Sequence, residues 1–275
     1  GVRFVFPILI VYFSTSMGFI DSFELAIKNP QEYEKIIQSS HHVIMSFGGM
    51  FLLMLFLKFI FDENKDTHWV KYIENFATKL SKVGDIKALF IMFLMLVITY
   101  VAPNEVVMGE QLVTVNKLEI LVPMIIGVIA FYLLELLKGF IELKTDSNDS
   151  KVTELSGGFI SFMYLEVIDM SFSLDGVLGA FAITQNVVII MLGLGIGAMA
   201  VRSLTIFMVE REVVSKYIYL EHGAMWSIGL LALSMIVQIF HHLPPMLITT
   251  FAIVPIGLAF IHSIYKNKEF IIDPK

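Results

Sequence analysis

One long apolar run, GGFISFMYLEVIDMSFSLDGVLGAFAI, holds Glu166, Asp169 and Asp175 together with Ser171, Ser173 and Gly176. Carboxylates, hydroxyls and free backbone carbonyls are all hard oxygen donors, the set that suits Mn²⁺, Mg²⁺ or Ca²⁺ better than soft metals. A carboxylate such as Asp at the centre of a bilayer costs roughly 2.5–3.5 kcal/mol on insertion scales, so three in one run must face protein, cations or water and not lipid. At 100° per residue Glu166, Asp169 and Ser173 share one helix face, whereas Asp175, nine residues beyond Glu166, points almost opposite. The run is therefore expected to unwind around Ser171 to Gly176 and line a cavity with oxygen atoms. The alternative is a straight helix enclosed by protein, whose acids only hold neighbouring helices.

Other polar side chains in apolar surroundings are candidates of a second rank. Arg202 follows Gly193, Gly195 and Gly197 in GLGIGAMAVRSLTIF; it either neutralises a carboxylate of the empty acidic site or anchors its helix at the interface. The glycines are expected to bring helices close together. Glu221 and His222, in YLEHGAMW, are placed to relay protons or add a ligand, or to form an interfacial polar pair. The pairs His41, His42 and His241, His242 fall at the predicted outer ends of two spans, where a metal could first be received. The sixteen methionines are scattered through the apolar runs, as flexible packing residues are, and do not trace a copper path. HExxH, GxSxG and a phosphate-cradling Gly-rich loop ending in Lys are all missing, so zinc protease, serine hydrolase and ATP-driven pump find no support, and no enzyme activity is expected. The absence of cysteine rules out disulfides, thiolate metal sites and Cys nucleophiles.

The elements that must position these groups are membrane helices. With 57% hydrophobic and 16% charged residues, the composition departs from that of a water-soluble domain. The apolar residues gather in runs of about twenty, the length of a helix crossing a hydrocarbon core about 30 Å thick. The runs give eight spans, roughly 3–25, 41–61, 87–102, 118–141, 157–182, 186–209, 218–240 and 244–265, and an all-α polytopic bundle. Alternate connections carry eleven basic residues against three, so the positive-inside rule puts the lysine-rich side, Gly1 and the C-terminus in the cytoplasm of a bacterial cell membrane. Between Asp62 and Asp85, the spacing of Trp69, Ile73, Phe76 and Leu80 predicts an amphipathic helix on the cytoplasmic membrane surface, a solvated linker being the plainer reading. A polar stretch over 145–154 separates a first half, 1–144, from a second, 155–275. The net charge of −6 is spread without any basic block, so the bilayer is the expected partner and nucleic acid is not.

Val2-Arg3, an apolar span and HHVIMSFGGMFLLMLF are echoed by Val201-Arg202, an apolar stretch and EHGAMWSIGLLALSM. The paired spans run in opposite directions, as an inverted-topology repeat requires, and the acidic span then lacks a mate, so one further helix is expected upstream of Gly1. Together YLEVIDMSFSLDGVLGAFAIT, GLGIGAMAVRSLTIFMVE and YLEHGAMWSIG, with FGGMFLLMLF and DTHWV, closely resemble the TerC-type membrane proteins, in a branch known only as a domain of unknown function. The resemblance covers most of the chain. It implies a place in the wider LysE-like exporter superfamily, a link with tellurite resistance and manganese export, and a cation-site role for Glu166, Asp169 and Asp175. The commoner TerC pattern has a second acidic motif in the first half; Asp21 and Glu24 do not fit it here. The expected function is thus secondary export of a divalent cation, manganese favoured, with protons as counter-ion and no bound cofactor. A non-transporting scaffold of a metal or tellurite stress complex is the alternative, and an intramembrane hydrolase a remote third, without a visible nucleophile and base.

Overall fold

The computed structural model describes residues 41–62, 86–102, 105–108, 111–114, 116–146, 186–210, 217–241 and 243–272, with scattered positions between them, among them Trp69, Val70, 72–74, Ala77 and Val177. Its elements are α1 (His41–Ile60), α2 (Ile86–Val101), β1 (Glu105–Met108), β2 (Gln111–Thr114), α3 (Lys117–Asp146), α4 (Val187–Glu210), α5 (Leu220–Gln238) and α6 (Pro245–Ile272). Among the described residues, four stretches are long and apolar enough to cross a membrane: His41–Ile60, Lys117–Leu137, Leu220–Gln238 and Pro245–Lys266. The apolar helical segments Ala88–Val101 and Val188–Ala200 are shorter. Six of the eight spans expected from sequence thus coincide with helices, while those at 3–25 and 157–182 lie outside the described residues.

Helix α1 is the centre of the packing. His42 lies near Glu119 and Lys58 pairs with Glu135, so α1 and α3 run parallel. Phe56 meets Trp226 and Phe59 meets His222, so α1 and α5 run antiparallel, as do α5 and α6 through Tyr219 and Ser263. Buried between the neighbours are Ile44, Met45, Met50, Phe51 and Leu52 of α1, with Ile120 and Met124 from α3 and Met235 from α5. The opposite faces of α2, α3 and α6 expose Leu89, Met92, Phe93, Leu133, Leu136 and Ile253, apolar surface of the kind that lipid covers. The Thr99, Thr249 and Thr250 hydroxyls satisfy themselves by donating to the carbonyl four residues back.

Two departures from the sequence reading stand out. An antiparallel hairpin pairs Glu105 with Thr114 and Met108 with Gln111 between α2 and α3; its Val106, Val107 and Val113 favour strands, but the apolar run is too short to signal one against an all-helical background. The close helix approach expected at Gly193 and Gly197 is not seen among the described residues, where a Cβ at either position would meet nothing within 4 Å. It occurs instead at Gly127, whose Cβ would fall 2.5 Å from the Phe47 carbonyl oxygen, and at Gly223, 2.5 Å from Ala259 Cβ and 2.9 Å from the Pro255 carbonyl oxygen. Small residues admit such contacts because backbones can then touch.

Gly127→Ala should therefore force α1 and α3 apart and cost on the order of 1–3 kcal/mol, the usual range for overpacking. A lower thermal midpoint in detergent is expected, whereas Gly139→Ala, with no atom within 4 Å of the new Cβ, should leave it unchanged.

Candidate functional site

Glu166, Asp169, Ser173 and Asp175 lie outside the described residues, as does the expected unwinding between Ser171 and Gly176. Arg202 belongs to α4, but its side chain is outside them too. Glu221 and His222 occupy the first turn of α5, where Glu221 is exposed and His222 buried. At the other end of the bundle His41 and His42 are buried and His241 is exposed, while His242 is not described. Among the described residues, no group of three or more His, Asp or Glu is placed to hold a metal ion.

The described polar centre forms around a residue that sequence reasoning passed over. Glu74 has 0% relative exposure. It closes a local turn, in which Ile73 and Glu74 donate their N–H groups to the Val70 carbonyl, and its carboxylate reaches back to the start of that turn. Trp69 N–H donates to Oε2 at 3.3 Å and Val70 N–H to Oε1 at 3.2 Å, the reciprocal logic of a capping box. From α5 the indole Nε1 of Trp226 donates to Oε1 at 3.3 Å, and His222 Nε2 stands 3.6 Å from Oε2. Donors from two segments thus converge on one carboxylate, as a buried charge needs.

Rings enclose the pair. His222 is held edge-on by Phe59 of α1 at 5.2 Å and by Tyr219 at 6.2 Å, and Trp226 by Phe56 at 5.3 Å. Tyr219 in turn stacks on His262 of α6 with centroids 4.7 Å apart, and its hydroxyl accepts a hydrogen bond from Lys266 at 2.6 Å. Trp69 reaches the same helix, its indole N–H donating to Nδ1 of His262 at 3.0 Å. Ser227 donates to the Ala252 carbonyl at 2.5 Å, just before Pro255 interrupts the backbone ladder of α6.

Of the expected apolar stripe, Phe76 and Leu80 lie outside the described residues, Trp69 is half-buried and Ile73 is 49% exposed, while Glu74 and Ala77 turn inward against the bundle. Hydrophobic periodicity cannot find a buried acid; the available signal was Trp69, Val70, Glu74 and Ala77 at helical spacing. At the far end His42 Nε2 lies 3.3 Å from Glu119 Oε2, and Ser46 Oγ and Gln238 Nε2 are buried without a hydrogen-bond partner among the described residues. The register of α1 against α5, with Gly49 opposite Met235 and Ile236, puts Ser46 and Gln238 at one level of that interface.

Apolar helices of membrane-spanning length with ionisable groups satisfied by protein define an α-helical, multi-pass membrane protein. A family model described as "Protein of unknown function (DUF475)" matches residues 1–270, and the chain belongs to that family. It is also similar to "Uncharacterized membrane protein YceF" of Bacillus subtilis (strain 168), with 32% identity over 111 residues, 38% of this chain and 41% of that protein. The chain thus aligns with less than half the length of this curated relative. No solved structure matches it.

Glu74→Ala would leave the Trp226 indole and two backbone N–H groups without their acceptor, at a cost of roughly 1–3 kcal/mol for each one that stays buried. A clear fall in the thermal midpoint is expected, and Glu74→Gln, which keeps an acceptor oxygen, should lose distinctly less. Equal midpoints for the two variants and the parent chain would remove Glu74 from this role.

Proposed function

We propose that the chain is a secondary transporter that exports a divalent metal cation, manganese favoured, through a buried acidic site formed by Glu166, Asp169 and Asp175 with Ser173. The observation that carries this reading is the run 157–182, in which three carboxylates share an apolar stretch of membrane-crossing length. The described bundle supports it in one respect. α1 and α5 contain the two sequence segments that echo each other, and they pack antiparallel around small residues, Gly49 against Ile236 and Gly229 against Phe56. An interface between oppositely directed repeats is where secondary transporters build their sites and rock between inward and outward states. The resemblance to TerC-type proteins points the same way, with tellurite resistance as an associated phenotype, and the lysine-rich connections put the chain ends in the cytoplasm.

In this mechanism the carboxylates replace water around the cation, Ser173 and freed carbonyls complete an oxygen shell, and protons returning to the acids drive release. Arg202 would balance charge when the cation is gone, and Glu221 with His222 would relay protons or add a ligand. Mn²⁺, Mg²⁺ and Ca²⁺ all accept such ligands and are separated by cavity size and rigidity.

Flux into proteoliposomes of the full chain, with each of these ions and with or without a pH gradient, tests the reading. Flux is expected for Mn²⁺ first, with Asp175→Asn and Asp169→Asn abolishing it while the protein still inserts. Unchanged flux in both variants would overturn the site, and no flux for any ion would favour a scaffold whose acids hold partners together.

A further inference from the structure

A hydroxyl on a helix in apolar surroundings has an easy partner, the carbonyl of the preceding turn. Thr99, Ser203, Ser234, Thr249, Thr250 and Ser263 all donate to it, and Ser227 donates to a carbonyl of α6. Ser46 is the exception among the described helical hydroxyls: its Oγ is buried and makes no hydrogen bond. Two further side chains share that condition. Gln238 Nε2 and both ring nitrogens of His42 are buried without a hydrogen-bond partner among the described residues, and all three residues are more than nine-tenths buried.

Helix register brings them to one place. Gly49 of α1 packs on Met235 and Ile236 of the antiparallel α5. Ser46 lies three residues before Gly49 and Gln238 three after Met235, so both step about 4.5 Å in the same direction and stay on the contact face. His42, four residues before Ser46, lies on that face about 6 Å nearer the end of the bundle. There its Nε2 is 3.3 Å from Glu119 Oε2, and the Glu119 side chain is 54% exposed. A polar line thus runs inward from an exposed carboxylate along the contact of α1 with α5. Beyond Gly49 the same faces present Leu53, Met235 and Ala232, all buried and apolar. Gln238 Nε2 brings two N–H donors, Ser46 a hydroxyl that donates and accepts, and His42 ring nitrogens that do one or the other. N–H donors turn a metal cation away, whereas water matches a mixed set and ordinarily takes about three such partners.

We propose that water enters the bundle between α1 and α5 from the Glu119 end and is held by His42, Ser46 and Gln238, in a hydrated vestibule whose floor is the contact at Gly49. Polar atoms at this depth have no partners to draw on but protein and water, and lipid supplies none. The vestibule carries solvent about one helical turn past His42 into the apolar layer. The opposite end is built differently, since Glu74 takes its donors from protein. The inference rests on helix packing and does not depend on which ion, if any, the protein carries.

The sequence has no cysteine, so a single substitution gives an unambiguous reporter. A thiol reacts with aminoethyl methanethiosulfonate as its thiolate, which forms in water, and is inert in apolar packing. With the full chain in nanodiscs and labelling followed by intact mass, Ser46→Cys and Gln238→Cys should react at least roughly tenfold faster than Met235→Cys. Ser46→Cys and Gln238→Cys as slow as Met235→Cys would mean a dry interface and overturn the proposal. Met235→Cys as fast as the other two would remove the floor and overturn it equally. A second measurement needs no substitution at the site. In the parent chain labelled with ¹⁵N-glutamine, the Gln238 side-chain amide, identified by its loss in Gln238→Leu, should show magnetisation transfer from water. An amide signal without such transfer would overturn the proposal even if the cysteine variants do not fold.

Discussion

A carboxylate with no exposed surface must find its donors in protein, and the demand that Glu74 makes is what joins the α1–α2 connection to the bundle. Its oxygens take hydrogen bonds from Trp69 and Val70 on its own turn and from Trp226 on α5, with His222 beside them. Lose the carboxylate and the donors are stranded together, since water is not close at hand to replace it. The rings of Phe56, Phe59 and Tyr219 are the reason: they stop solvent from screening the pair and hold His222 and Trp226 in their orientations.

The same constraint governs the helices. In hydrocarbon, burying apolar side chains supplies little drive for helices to associate, so close backbone approach and internally satisfied polar groups must do so. Gly127 and Gly223 provide the approach, one on each side of the α1 and α5 pair. Lys58 with Glu135 provides an ion pair where α1 leaves the apolar layer, and Ser227 occupies a carbonyl next to the proline of α6. The two ends of the bundle come out unlike. One concentrates aromatic rings, two histidines and Glu74; the other has His42 near Glu119 and a level at which Ser46 and Gln238 lack partners among the described residues.

Under the proposed export reading this asymmetry has a use. Alternating access requires one end to be closed while the other opens, and the two unlike ends would be closed by different contacts. The acids of 157–182 and the Glu74 cluster would then have separate tasks, one holding the ion and the other setting how firmly an end of the bundle is closed.

Membrane class and the position of most of the described helices were legible in the sequence, because twenty apolar residues in a row have few physical outcomes other than a spanning helix. The basic residues of the connections carried an expected orientation for the same kind of local reason. The described polar site was only partly legible. His222 could be singled out because it interrupts an apolar run, but Glu74 sits in a stretch full of charges, where one acid looks like another. The hairpin was missed because four-residue strands leave almost no periodic trace. Which glycines touch, and which of many acids is buried, depend on helix register and on chain segments more than a hundred residues apart, as Glu74 and Trp226 are. Local pattern determined what enters the membrane; only tertiary packing decided which polar atoms would meet there, because desolvation is a property of the assembled neighbours and not of the residue itself.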